Sequence, residues 1–218
     1  MEVRLERPDE VVPFLSAHAV IMHPAFRRLF PGELLKPGLC RPVPPIGLLL
    51  CELVGVVELS QKLGDHAATR MVLELQDLLR TVVESTGGAL VRLERDGLFA
   101  VFADGRTAAQ AGVALQEAMS RYQGASVEGG ALQVRAGVCA GPAQLLTQNR
   151  ALDYYGLSVV LCARLLRDAH GGDVLLPAEL AQTLDKHPLA KVGPRFTIGV
   201  KGLDAPLGVC RVNYQAPA

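Results

Sequence analysis

The chain has 218 residues, half of them hydrophobic and 20% charged, with 22 basic side chains against 22 acidic ones. That composition is globular rather than disordered. The zero net charge speaks against a strong electrostatic nucleic-acid binder, whose footprint is a basic excess. A chain of this length hides roughly 70% of its unfolded surface, so one domain plus a modest extension needs no covalent staple.

Residues 1–45 hold eight of the 14 prolines. Short helical turns fit Glu10–Val20 and Ala25–Phe30, with Pro13 in a first turn and Pro24 as a stop. The PVPP run at 42–45 reads as a boundary. The segment is expected to be a non-catalytic, Pro-rich N-terminal extension that packs on the main domain or on a heterologous partner. Residues 46–218 then form the main domain. MEVRLERPDE lacks the apolar core of a signal peptide. The apolar stretch near 46–57 is broken by Glu52 and two glycines, too short to span a bilayer. A cytoplasmic chain without membrane contact is expected. The five cysteines include no CxxC pair, which suits buried free thiols and not a zinc site.

From Ile46 the pattern becomes regular. GLLLCELV is a continuous apolar run suited to a buried strand. From about Asp65, apolar residues recur every three or four positions through Val83, which predicts an amphipathic helix closed by Gly87 and Gly88. ALVRLERDGLFAVF predicts two strands around a turn at Arg95–Gly97. A second helix follows over Thr107–Tyr122. ALQVRAGVCAG reads as a strand with AQLLTQ as its partner. A third helix covers Leu157–Ala169, DVLLP is a strand and Ala178–Leu184 a short helix. Two strands near Phe196–Val200 and Gly208–Tyr214 end the chain. The order βαββαββαβαββ points to an α+β fold, a ferredoxin-like βαββαβ core with a C-terminal elaboration.

Five segments in this order, CELVGVVELSQKLGD, VRLERDGLFAVFAD, VRAGVCAGPAQL, DYYGLSVVLCARLL and VKGLDAPLGVCRV, resemble the class III adenylate/guanylate cyclase catalytic domain over about residues 46–214. The resemblance implies a nucleotide cyclase-like fold and a site shared between two chains of a homodimer. It implies metal-binding carboxylates at Glu52 and Asp96, holding Mg²⁺ or Mn²⁺. It places purine contacts at Arg92 and Asp153, the latter favouring ATP. It puts a phosphate contact at Lys201 and the transition-state pair at Val160 and Arg164. Such residue types suit the chemistry. Joining the ribose 3′ oxygen to the α-phosphate asks little covalent work of the protein, so charge and positioning supply the rate.

The chain departs from the family pattern at several of these positions. Glu52 stands for Asp, Arg92 for Lys, Val160 for Asn, and Arg95 for the glycine before Asp96. Val56 and Val57 stand for Phe and Thr/Ser. Valine offers no hydrogen bond to a ribose, and Arg95 sets a guanidinium beside a carboxylate ligand. Each retained residue also has an ordinary reading. Asp96 suits a turn before glycine, Asp153 suits a helix N-terminus, Arg164 suits a solvated helix face and Lys201 suits a turn. Glu52, in an apolar strand, needs a partner wherever it points.

Two functions remain in view. The favoured one is a degenerate cyclase-like signalling module that binds ATP or another purine nucleotide, dimerises or binds a partner, with little or no cyclase activity and weak or absent metal. The alternative is an active adenylate cyclase that converts ATP to cyclic AMP by two-metal catalysis at the dimer interface. A heterodimer half completed by a different chain is a third form of the same idea.

Overall fold

The structure is a computed structural model that describes residues 17–30, 35–36, 38–125, 132–202 and 205–216. The expected helical turn at Glu10–Val20 falls largely outside them. Its described end lies in α1 (Ala17–Ile21), followed by α2 (Pro24–Leu29). His23 caps α2, its Nδ1 accepting from Ala25 N at 3.2 Å, and Pro24 supplies a fixed φ for the first turn.

Strand β1 (Cys40–Val54) is longer than the apolar run that announces it, because it takes in Pro42, Pro44 and Pro45. The PVPP run, expected as a boundary, therefore lies within a strand. Proline cannot donate to a ladder, and the register between β1 and β4 (Gln133–Gln148) shifts between Val43 and Ile46, where the prolines sit. Helices α3 (Val56–Leu63) and α4 (Asp65–Ser85) follow; α3 is a helix the hydropathy pattern did not separate from the strand. Strands β2 (Ala89–Leu93) and β3 (Gly97–Phe102) form the expected hairpin. Helix α5 (Gly105–Ala125) leads into β4.

AQLLTQ is the second half of β4, which runs straight through Gly141 and Pro142. The true partner is β5 (Ala151–Tyr155), turned back at Asn149 and Arg150, both at positive φ. Helix α6 (Leu157–Asp168), β6 (Asp173–Pro177), α7 (Ala178–Ala181), β7 (Ala190–Val192), β8 (Phe196–Ile198) and β9 (Leu207–Tyr214) complete the chain.

The sheet order is β2-β3-β1-β4-β6-β9-β7, with β5 on β4 and β8 on β9. Among the described strands only the β4–β6 pairing is parallel. The first four strands in that order, joined by α4 and α5, are the predicted ferredoxin-like unit, and the rest is the C-terminal elaboration. Two cores flank the sheet. Helices α4 and α5 bury Leu75, Leu79 and Leu115 against one face. Helix α6 buries Cys162 and Leu165 against the other, where Ile21, Met22 and Leu35 also pack. Gly137 lets α6 lie directly on β4, since a Cβ there would overlap Cys162 O and Leu166 N.

The segment before β1 is tied to this second face. Arg27 Nη1 donates to Leu152 O at 3.1 Å, Leu35 N donates to Thr147 Oγ1 at 2.9 Å, and Tyr154 Oη to Met22 Sδ at 3.3 Å. None of the described helices is long and apolar enough to cross a membrane.

All five cysteines are free, and only Cys40 is exposed. Burial pushes the Cys51 thiol up to about 12 and the Cys139 thiol to about 11, and raises Cys162 and Cys210 as well. A thiol reacts as its thiolate. Iodoacetamide at pH 8 should therefore alkylate close to one cysteine per folded chain, Cys40, and all five after denaturation. Mass spectrometry reads both; rapid labelling of Cys51 in the folded protein would contradict the packing.

Candidate functional site

Strand register brings the first group of residues together. Glu52 lies opposite Gly97 on β3 and opposite Arg135 on β4. Leu53 N donates to Asp96 O at 2.7 Å, which fastens the β2–β3 turn to the end of β1. Gly97 admits no side chain, because a Cβ would overlap Cys51 O. The turn is held from below by Gln76 of α4, a buried amide whose Nε2 donates to Glu94 O at 2.9 Å and Arg95 O at 3.2 Å. Glu52, Glu94, Arg95 and Asp96 consequently line one cleft, with Leu166 of α6 on its wall.

Within that cleft Glu52 has a partner from its own chain. Arg135 Nε donates to Glu52 Oε1 at 3.0 Å, and Arg135 Nη2 donates to the same oxygen. Arg135 Nη1 donates to Ala169 O at 3.1 Å, so the guanidinium is anchored on both sides. Both side chains are about one-quarter to one-third exposed, a setting in which a charge-assisted pair is stronger than on open surface. The Glu52 carboxylate also helps hold the neighbouring Cys51 thiol protonated, after burial itself.

A resident pair of divalent ions needs carboxylates with open lone pairs. Here one oxygen of the Glu52 carboxylate accepts from the Arg135 guanidinium, while Asp96 makes no ion pair among the described residues. Arg135 occupies Glu52 Oε1 in this structure, so a metal ion reaching that oxygen would compete with the guanidinium.

The second group is Arg92 and Asp153. Arg92 Nη1 donates to Asp153 Oδ1 at 2.5 Å and Arg92 Nε to Glu94 Oε1 at 2.7 Å. The guanidinium lies 4.8 Å from the Phe99 ring centroid, over its face. Asp153 is mostly buried and also accepts from Tyr154 N at 2.7 Å. Asp153 is thus a residue of β5, not of a helix N-terminus.

The third group is on α6, whose backbone starts at Gly156 with φ 135°. Ser158, Cys162, Leu165 and Leu166 face the core. Val160 and Arg164, one turn apart, lie on the opposite side; Val160 is 48% exposed. Arg164 Nε lies 3.1 Å from Asp168 Oδ2, without hydrogen-bond geometry. Within one chain, then, α6 presents Leu166 to the Glu52–Asp96 cleft and turns Val160 and Arg164 away from it. Lys201 is exposed in the turn between β8 and β9, and no hydrogen bond or ion pair among the described residues joins it to these groups.

Three residues here escaped sequence reasoning: Arg135, Gln76 and Asp168. Asp168 had a signal, its i,i+4 spacing from Arg164. The other two act across strands or layers and had none.

This fold is that of the class III adenylyl/guanylyl cyclase catalytic domain. Among solved structures, the adenylyl cyclase CyaB from P. aeruginosa superposes with a TM-score of 0.66 at 18% identity, covering 80% of this chain and 95% of that one. The guanylyl cyclase Cya2 gives 0.64 at 18%, covering 84% and 97%. An adenylate/guanylate cyclase/hydrolase from Silicibacter pomeroyi gives 0.63 at 20%, covering 79% and 98%. No family model matches the sequence. Among curated proteins, the uncharacterized Rv2212 of Mycobacterium tuberculosis and Mb2235 of Mycobacterium bovis are each 30% identical over 161 residues, 74% of this chain. The chain spans 39% of the length of these relatives.

Proposed function

We infer that residues 46–218 are a degenerate cyclase-homology module that binds a purine nucleotide and dimerises, with little or no cyclase activity. The observation that carries this reading is the Arg135 guanidinium on Glu52, an internal cation where the family resemblance expects a metal ion. Val160 adds to it, as an exposed apolar side chain at the position where the family orients the ribose. Arg92 and Asp153, already paired, are the base-contacting elements; Lys201 is a phosphate contact. Residues 1–45 are a non-catalytic extension whose described part packs on the module, its last six residues forming the start of β1, and offers a surface to a heterologous partner.

Exposed apolar side chains support the dimer. Leu157, Val160, Tyr155 and Leu93 are all large, apolar and exposed. Side chains of that kind on neighbouring elements suit burial against a second chain. A two-fold head-to-tail homodimer sets Val160 and Arg164 of one chain toward the Glu52–Asp96 cleft of the other. Val160→Asp then places a carboxylate near two others and should weaken the dimer. Light scattering across a dilution series should show a dimeric wild type and a variant that dissociates at roughly tenfold higher concentration or more, the size of a charged group left unpaired at an interface. A wild type that stays monomeric when concentrated, or a variant as dimeric as wild type, overturns the interface. Binding of a fluorescent ATP analogue in EDTA tests the nucleotide half: binding should persist without metal and fall in Asp153→Ala.

The alternative, an active adenylate cyclase, is favoured by one observation, the assembly of Arg92 with Asp153. Turnover of labelled ATP with Mn²⁺ decides between them.

A further inference from the structure

A second cavity lies apart from the cleft, between α2 and the edge formed by α4, β2 and β5, with a volume of about 280 Å³. Its lining divides by chemistry. Phe26, Phe30, Val91 and Leu152 supply an apolar wall, and Arg27, Arg28 and Arg80 supply three cations against the single carboxylate of Glu84. Arg80 is partly neutralised, its Nη2 donating to Asp77 Oδ1 at 2.6 Å. Arg27 is not. Its Nε donates to Ile21 O at 3.0 Å and its Nη1 to Leu152 O at 3.1 Å, both neutral carbonyls. Its face stands 5.5 Å from the Tyr154 ring centroid. Nη2 is buried with no hydrogen-bond partner among the described residues. Arg27 is half-buried on the cavity wall and has no carboxylate partner among the described residues, so its charge is not compensated there.

We propose that this cavity is a binding site for a small organic monoanion, a carboxylate with an apolar body, whose head pairs with Arg27 and Arg28 and whose body lies against Phe26, Phe30, Val91 and Leu152. The cavity's volume of about 280 Å³ lies near the lower end of the range for small-molecule sites. A doubly charged or larger polar ligand does not suit walls that are mainly hydrocarbon. The site does not depend on the nucleotide reading, because it shares no residue with the Glu52–Asp96 cleft or the Arg92–Asp153 pair. It does touch the latter's scaffold: Val91 precedes Arg92 and Leu152 precedes Asp153, so a ligand seated here bears on the strands that hold that pair.

The test is calorimetric titration of the full chain with octanoate, octanol and acetate. Octanoate should bind saturably, with the other two at least tenfold weaker, since one lacks the charge and the other the apolar body. Arg27→Gln should weaken octanoate roughly tenfold, the scale of one lost charge-assisted hydrogen bond. Because Arg27 also anchors α1 and β5, Arg28→Gln is the companion variant. Arg28 is exposed, and its loss should weaken octanoate several-fold while circular dichroism stays unchanged. The proposal is overturned if octanoate shows no saturable binding, if octanol binds as well, or if a folded Arg28→Gln variant binds octanoate like the wild type.

Discussion

Replacing Arg135 with Met should raise the affinity of the Glu52–Asp96 cleft for divalent cations. In the wild type the Glu52 carboxylate meets two guanidinium nitrogens through a single oxygen, and Asp96 sits beside Arg95. A metal must displace Arg135 to reach Glu52, and Arg135 is also held by Ala169 O at 3.1 Å. Methionine keeps most of the stem's packing and removes the competitor. The carboxylate left behind is half-buried and unpaired, so the variant should lose about 1–3 kcal/mol of stability in EDTA. Manganese should restore it, because a ligand that binds only the folded state adds about 2.7 kcal/mol at one hundred times its dissociation constant. Thermal melts with and without Mn²⁺ read this directly. The wild-type midpoint should not move, the Arg135→Met midpoint should fall and then recover, and the double variant with Glu52→Gln should no longer respond. Equal Mn²⁺ responses in wild type and Arg135→Met would show that Arg135 does not guard the cleft.

The same ion pair shows where the sequence stops being legible. Amphipathic helices declare themselves through spacing along one chain segment, which is why α4, α5 and α6 fall where the periodicity places them. The β2–β3 hairpin is equally local, carried by Arg95-Asp96-Gly97. Pairings between distant segments leave no such mark. Glu52 visibly needs a partner, but only the β1–β4 register, which sets Glu52 opposite Arg135 across 83 residues, says that the partner is an arginine of the same chain. Gln76 is similar: it reads as one more polar residue of α4 until the β2–β3 turn is laid over it. The boundary errors have a matching cause. Proline and glycine signal interruption in a window, yet β1 absorbs its prolines at a register shift and β4 runs on through Gly141 and Pro142. Resemblance supplied the identities of the candidate site residues; the fold supplied which of them meet. Arg92 with Asp153 and Glu52 with Asp96 meet within one chain, whereas Val160 and Arg164 point elsewhere.

That division determines how activity should respond to reversal. Glu52→Asp shortens the side chain by one methylene and draws the carboxylate back from Arg135 Nε, now 3.0 Å away. Val160→Asn places an amide on the exposed face of α6, one turn before Arg164, where a hydrogen bond to a ribose becomes available. On the proposed dimer the two changes act on opposite halves of the shared site, so neither should suffice alone. Wild-type protein and each single variant should turn over ATP slowly or not at all with Mn²⁺. The double variant should exceed wild type on the order of a hundredfold, the size of one transition-state hydrogen bond regained. Groups that act as a unit are non-additive, so the double effect should surpass the product of the single ones. Rate per chain should also rise with protein concentration until the dimer is saturated, and adding Asp96→Asn should abolish the gain. A wild type whose cyclic AMP production the double variant does not exceed would mean that neither Glu52 nor Val160 is the obstacle. The chain would then be an enzyme working with the residues it has, with Arg135 as part of its machinery in place of a barrier to it.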